Sequence, residues 1–208
     1  MFVLAHTGIA LGATVLLNGI LPKSISRLKR SPEPLPEVNP APDYRRGRLE
    51  SWFASLGDRI DIRLLLIGSL LPDIIDKPIG VYLFRDTFSS GRIFAHTLLF
   101  LIVISVIGFF LYRSYGKKWL LVVSFGSFVH LILDKMWLEI ETLLWPLYGF
   151  AFPERDLTYW IRDMWRGLAS EPGVYITEIA GGVILIVFLW VLVKNRKVFA
   201  FIRNGKLR

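Results

Sequence analysis

The 208-residue chain contains no cysteine. That absence excludes disulfides and thiolate ligands, so any ion held here must be bound by imidazole, carboxylate, backbone or water. Histidine is scarce, with only His6, His96 and His130. There is no internal repeat and no His-Glu-x-x-His run. The first segment lacks a basic start and a small-x-small cleavage site, so it reads as a span rather than a secretory signal. The stretch 194–208 lacks acids and holds six basic residues.

What is present is apolar. Hydrophobic residues make up 53% of the chain, and the mean hydropathy is +0.50. Runs of about twenty apolar residues put the chain in the membrane class. The net charge of +8 could suggest nucleic acid. The Lys and Arg residues cluster in particular loops, however, which favours topology as their cause and argues against a nucleic-acid partner.

Five spans are expected: Phe2 to Leu21, Ile62 to about Phe84, Ile93 to Tyr112, Trp119 to about Trp137, and Val174 to Val193. Leu138 to Phe150 reads as a continuation of the fourth span or a re-entrant piece. The expected fold is an all-α integral membrane bundle forming a single membrane domain over 1–208. Residues 22–60 form a basic loop with Pro22, Pro32, Pro34, Pro36, Pro40 and Pro42. Proline without periodicity argues for an extended linker. Within it, Trp52 and Phe53 with Leu49 and Leu56 suggest a short interfacial helix. Residues 151–172 carry Tyr159, Trp160 and Trp165, an interfacial pattern.

The basic loop 22–60, the turn Arg113–Lys118 and the tail 194–208 fall on one side of a five-span chain. By the excess of Lys and Arg, that side is cytoplasmic. The N-terminus is then outside, the C-terminus cytoplasmic, and the location the plasma (inner) membrane. The basic tail also suggests attraction to membrane lipid.

Polar residues inside the spans carry the chemistry. Gly68-Ser69-Leu70-Leu71-Pro72-Asp73-Ile74-Ile75-Asp76-Lys77-Pro78 places two carboxylates in an apolar run. A charge at mid-bilayer costs roughly 2.5–3.5 kcal/mol on insertion scales, so it implies a partner or a purpose. Asp73 and Asp76 share one helical face, and Pro72 tends to kink the helix beside them. The bland alternatives are a helix end, or pairing with Lys77 or Arg63. His130 and Asp134 stand at i, i+4, again on one face. The bland reading of Asp134 is a helix end or a pair with Lys135. His6 and His96 could simply sit at the interface.

Segment lengths and basic loops nevertheless bring His6, Asp73, Asp76, His96, His130 and Asp134 to one depth, in the outer half of the membrane. Imidazole and carboxylate together suit zinc, manganese or iron rather than calcium. A centre with an open position can lower the pKa of a bound water towards 7. Some of the acids can act from outside the ligand shell, orienting a histidine.

His6-Thr7-x-x-Ala10-Leu11-Gly12, Leu70-Leu71-Pro72-Asp73-Ile74-Ile75-Asp76, Arg92-x-x-x-His96-Thr97-Leu98-Leu99 and His130-Leu131-x-Leu133-Asp134, followed by Trp145-Pro146, resemble the YdjM-type family of membrane-bound metal-dependent hydrolases. The resemblance runs discontinuously over about residues 1–150, outside the Pro-rich loop and the last span. It is distantly similar to zinc-dependent phospholipases C and P1-type nucleases, which implies phosphoester hydrolysis. It implies His6, Asp73, His96, His130 and Asp134 as metal ligands or their neighbours, with zinc the favoured metal. It implies Asp76 as a ligand or general base and Arg92 as a phosphate-neutralising group; the bland reading of Arg92 is a solvated turn residue. Lys77 stands where such proteins commonly carry histidine. A lipid-like phosphoester is the implied substrate. The rival expectations are a divalent-cation or proton transporter or channel, and a non-catalytic scaffold whose basic segments bind a cytoplasmic partner.

Overall fold

The computed structural model of the chain describes residues 3–20 and 61–205, and among these there is no strand. The proline-rich loop and the interfacial helix expected around Trp52 lie outside the described residues. The elements are α1 (Val3–Ile20), α2 (Ile62–Lys77), a π-helical turn (Pro78–Leu83), α3 (Arg85–Phe88), a 3-10 turn (Phe94–His96), α4 (Leu98–Tyr115) and α5 (Trp119–Leu133). After α5 come a 3-10 turn (Met136–Leu138), α6 (Ile140–Leu143), α7 (Trp160–Ser170), α8 (Pro172–Lys194) and α9 (Val198–Asn204).

The helix ends follow their sequences. Asp61 caps α2, its side chain accepting from the Arg63 backbone N–H at 3.0 Å. The Arg63 guanidinium also holds the Asp61 carboxyl below the usual carboxylate range. Thr97 caps α4 by accepting from the Phe100 N–H at 3.0 Å. Gly116, at φ 67°, closes the same helix in the left-handed region that glycine enters without strain. Pro172 opens α8, where its missing N–H costs nothing.

Among the described residues, two helices are long and apolar enough to cross a membrane, Leu98–Tyr115 and Pro172–Lys194. The core helix of a soluble protein would be mostly buried, yet only 11% of the apolar window of α4 is covered by protein. Val106, Phe109 and Phe110 all face outward. Of the other apolar helices, Trp119–Leu133 is shorter. At 1.5 Å per residue α5 rises only about 22 Å, less than the ~30 Å hydrocarbon core. The boundaries also move. The third expected span starts at Leu98 rather than Ile93, because Phe94–His96 forms a 3-10 turn of its own. The fourth ends at Leu133, and the region expected to continue it breaks into short turns and α6.

α2 packs most extensively on α5, and α1 on α8. Both pairs approach closely at glycine. A Cβ on Gly68 would sit 2.4 Å from the Val123 carbonyl oxygen, and one on Gly126 2.6 Å from the Ser69 nitrogen. A Cβ on Gly8 would sit 2.1 Å from the Gly181 oxygen. Small residues at helix crossings are how apolar helices gain contact where lipid removes the usual hydrophobic drive. Leu11, Val15, Ile62, Leu65, Phe188, Val191 and Leu192 fill the core at one end of the bundle. The polar residues gather at the other end.

Candidate metal centre

Each side chain at that end is delivered by a helix terminus. His6 lies in the first turns of α1, Asp73 and Asp76 in the last turns of α2, and His96 in the turn before α4. His130 lies in the last turn of α5, and Asp134 closes that helix, its N–H bonded to the His130 carbonyl at 2.9 Å. His6, Asp76, His96 and His130 are fully buried.

The α2–α5 crossing sets His130. Pro72 has no N–H, so the Gly68 carbonyl one turn earlier loses its usual helical donor. The Ser127 hydroxyl donates to that carbonyl at 3.0 Å. One turn further along α5, His130 Nδ1 meets the Ser69 carbonyl at 2.7 Å. A carbonyl only accepts, so Nδ1 carries the proton, and whenever the ring is neutral its lone pair is at Nε2.

Asp76 sets His96 in the same way. Its carboxylate accepts from the backbone N–H groups of Ile93 at 2.8 Å, Ala95 at 2.9 Å and His96 at 3.1 Å. It also meets His96 Nδ1 at 2.7 Å. With Nδ1 donating to a carboxylate, His96 too turns Nε2 inward.

The two Nε2 atoms are 3.2 Å apart. Asp73 Oδ1 lies 3.6 Å from His96 Nε2 and 3.8 Å from His130 Nε2. Asp134 Oδ2 lies 3.8 Å and 4.0 Å from the same two nitrogens. One ligand atom from each of Asp73, His96, His130 and Asp134 falls within 4.8 Å of the other three. Two facing lone pairs beside two carboxylates repel one another unless a cation or a proton lies between them. Two imidazoles and two carboxylates suit zinc, manganese or iron, and the separations of 3.2–4.0 Å made by the two Nε2 atoms lie near what bonds of about 2 Å to one ion require.

The remaining expected residues surround this group. His6 Nε2 meets Asp134 Oδ1 at 3.1 Å, and its ring stacks on His130 with centroids 4.1 Å apart. His6 thus adjoins the group through Asp134 and His130. Asp73 Oδ2 accepts from Lys77 at 2.7 Å, so the bland pairing and the shared cluster both hold. Arg92 is not a solvated turn residue. It donates to Asp134 through Nε at 3.0 Å and Nη2 at 2.8 Å, and through Nη1 to Glu139. Arg63 pairs with Asp61, at the opposite end of α2 from Asp73 and Asp76.

Glu139 was not among the residues singled out in the sequence, nor was Arg155, which reaches the same carboxylate at 2.6 Å. Glu178 was also passed over, though it is a buried acid inside an apolar helix. It accepts from the Ala5 N–H at 3.2 Å, capping the turn of α1 that carries His6. An acid within an expected span was the signal available for it.

No curated protein and no solved structure is significantly similar to the chain. The family model described as YdjM inner membrane protein matches residues 42–201. The match takes in Asp73, Asp76, Arg92, His96, His130, Asp134 and the last long helix, and starts after His6. It therefore extends further towards the C-terminus than the short motifs do, and begins later. Since it spans well over half of the sequence, the chain belongs to the YdjM inner membrane protein family.

Proposed function

We propose that the protein is a membrane-bound, metal-dependent hydrolase acting on a phosphoester, with a lipid-like phosphoester the favoured substrate class. The observation that carries this reading is the pair of Nδ1 contacts that leaves the two Nε2 atoms facing each other. His96 and His130 each have Nδ1 committed, to Asp76 and to the Ser69 carbonyl, and they aim their Nε2 atoms at one another across 3.2 Å between two carboxylates. That donor set calls for a cation, with zinc the favoured ion and manganese or iron the alternatives.

Asp73, His96, His130 and Asp134 would hold the ion. When bound, it would supply a hydroxide-like water near neutral pH and polarise a phosphoryl oxygen. Asp76 has both oxygens engaged and no exposure, which suits it to positioning His96 rather than to taking a proton. His6 holds Asp134 Oδ1 and packs against His130, so it steadies a carboxylate and an imidazole of the group. Lys77 holds one oxygen of Asp73 and leaves the other turned to the histidines. Arg92 holds Asp134 and offers positive charge beside the group.

The proposed arrangement has about five spans in the inner membrane, with the N-terminus outside. It is supported by the Lys and Arg distribution. The unbroken helical path from Ile62 to Leu83 is also long enough for a span. The centre then lies in the outer half of the membrane.

The test is hydrolysis of a chromogenic phosphodiester by purified protein in detergent. Activity should vanish with a chelator and return with zinc. No turnover with any of zinc, manganese or iron overturns the hydrolase reading.

A further inference from the structure

Beyond the four-residue group lies an arrangement that its chemistry does not use. The Glu139 carboxylate is held between two guanidiniums. Its Oε1 accepts from Arg92 Nη1 and from Arg155 Nη2, the latter at 2.6 Å. Arg92 continues inward to Asp134 at 2.8 Å. Arg155 is fixed from outside, its backbone N–H bonded to the Ser89 carbonyl at 2.8 Å. Glu139 and Arg155 also line a cleft of about 390 Å³ with Leu138, Ile140, Glu141 and Tyr148. Arg92 does not line that cleft, so Glu139 stands between it and the arginine that touches Asp134.

One carboxylate oxygen shared by two guanidiniums occupies the position an oxyanion oxygen would take between them, because Arg binds carboxylate and phosphate with the same fork. With Glu139 turned inward, the cleft offers an anion one cation, Arg155, against Glu139 and Glu141. With Glu139 turned out, Arg92 and Arg155 both become available, and Arg92 leads on to the metal group. The Glu139 side chain is 26% exposed, so it can rotate into the cleft without unpacking a core.

We infer that Glu139 is an internal anion that closes a phosphate-binding site formed by Arg92 and Arg155, and that the phosphate group of a substrate takes its place. This inference rests on the hydrolase reading for its substrate class, though the anion site can be tested without turnover. The shared ligand chemistry is a tetrahedral phosphate. Leu138, Ile140 and Tyr148 give the cleft an apolar wall for a substituent on that phosphate.

The experiment is calorimetric titration of purified full-length protein with inorganic phosphate and, separately, with dihexanoyl phosphatidic acid. Each titration is run with and without zinc. The proteins are wild type, Glu139→Gln and Arg155→Gln. Glu139→Gln removes the competing charge and should tighten phosphate binding roughly tenfold, while Arg155→Gln should weaken it by a similar factor. A gain with bare phosphate means that the head group suffices; a gain only with the lipid means that the apolar wall is required. Should Glu139→Gln fail to fold, Arg155→Gln decides alone, since Arg155 is 45% exposed and removable without opening a core. Unchanged affinity for both ligands in either folded variant overturns the inference. Zinc content, measured on the same samples, reports separately on the metal centre.

Discussion

At the residue scale, the decisive groups are those that touch the ring atoms turned away from the cluster. Asp76 and the Ser69 carbonyl each commit an Nδ1, and in doing so choose which nitrogen of His96 and His130 is bare. Partners of this kind tune affinity without contacting the ion. Asp76→Asn keeps the side-chain shape but replaces one accepting oxygen with an amide NH2 that must face a donor. It should lower zinc affinity by about 10–100-fold in a chelator competition. Unchanged affinity would remove Asp76 from the centre. Asp73 and Asp134 were legible from their positions in apolar sequence, and His130 with Asp134 from i, i+4 spacing. The roles of the residues were less legible. Spacing brings Asp73 and Asp76 to one face, but only the turn Phe94–His96, folded over the end of α2, gives Asp76 three backbone donors. Lys77 illustrates the same limit, since a basic residue in a motif reads as a pair for either acid until the helix end is placed.

At the scale of elements, the site depends on how closely α2 and α5 cross. Pro72 leaves the Gly68 carbonyl without its helical donor, and Ser127 supplies one from the neighbouring helix. Ser127→Ala strands a buried acceptor and should destabilise the protein by about 1–3 kcal/mol, read as a lowered unfolding midpoint in detergent. An unchanged midpoint would mean that the Gly68 carbonyl finds another partner. Gly126→Val should do more. Even its Cβ would meet backbone at 2.6 and 2.7 Å, which cannot yield as a side-chain tip can. It should separate the two helices, cost more stability than Ser127→Ala, and reduce bound metal by carrying His130 away from His96. A variant that holds metal normally would show that the crossing does not set the centre. Glycine and serine in apolar helices are common enough that their sequence positions did not announce this crossing. The breakdown of the region after Leu133 was hidden for a related reason, because Leu138–Phe150 stays apolar while its backbone turns repeatedly.

For the whole molecule, the proposed direction in the membrane rests on the basic segments, and the lack of cysteine makes that direction measurable. Ser114, in the last turn of α4, and Ser170, at the end of α7, are both exposed. Ser114→Cys should react with a membrane-impermeant maleimide only after permeabilisation, and Ser170→Cys in intact cells. The reverse pattern would put the centre on the cytoplasmic side and remove the outer-leaflet substrate from the proposal. The membrane class was legible because hydropathy is a bulk property. The number of spans was less so, because α5 is shorter than the bilayer core and α2 passes into a π-helical turn rather than ending cleanly.

All of this turns on whether the polar end of the bundle holds a cation. Elemental analysis of purified wild-type protein beside His96→Ala, His130→Ala and the double variant measures it directly. The expected result is about one zinc, manganese or iron per chain in the wild type, a reduced amount in each single variant and none in the double. Equal metal content in all four proteins, or none in the wild type after zinc loading, would contradict the account.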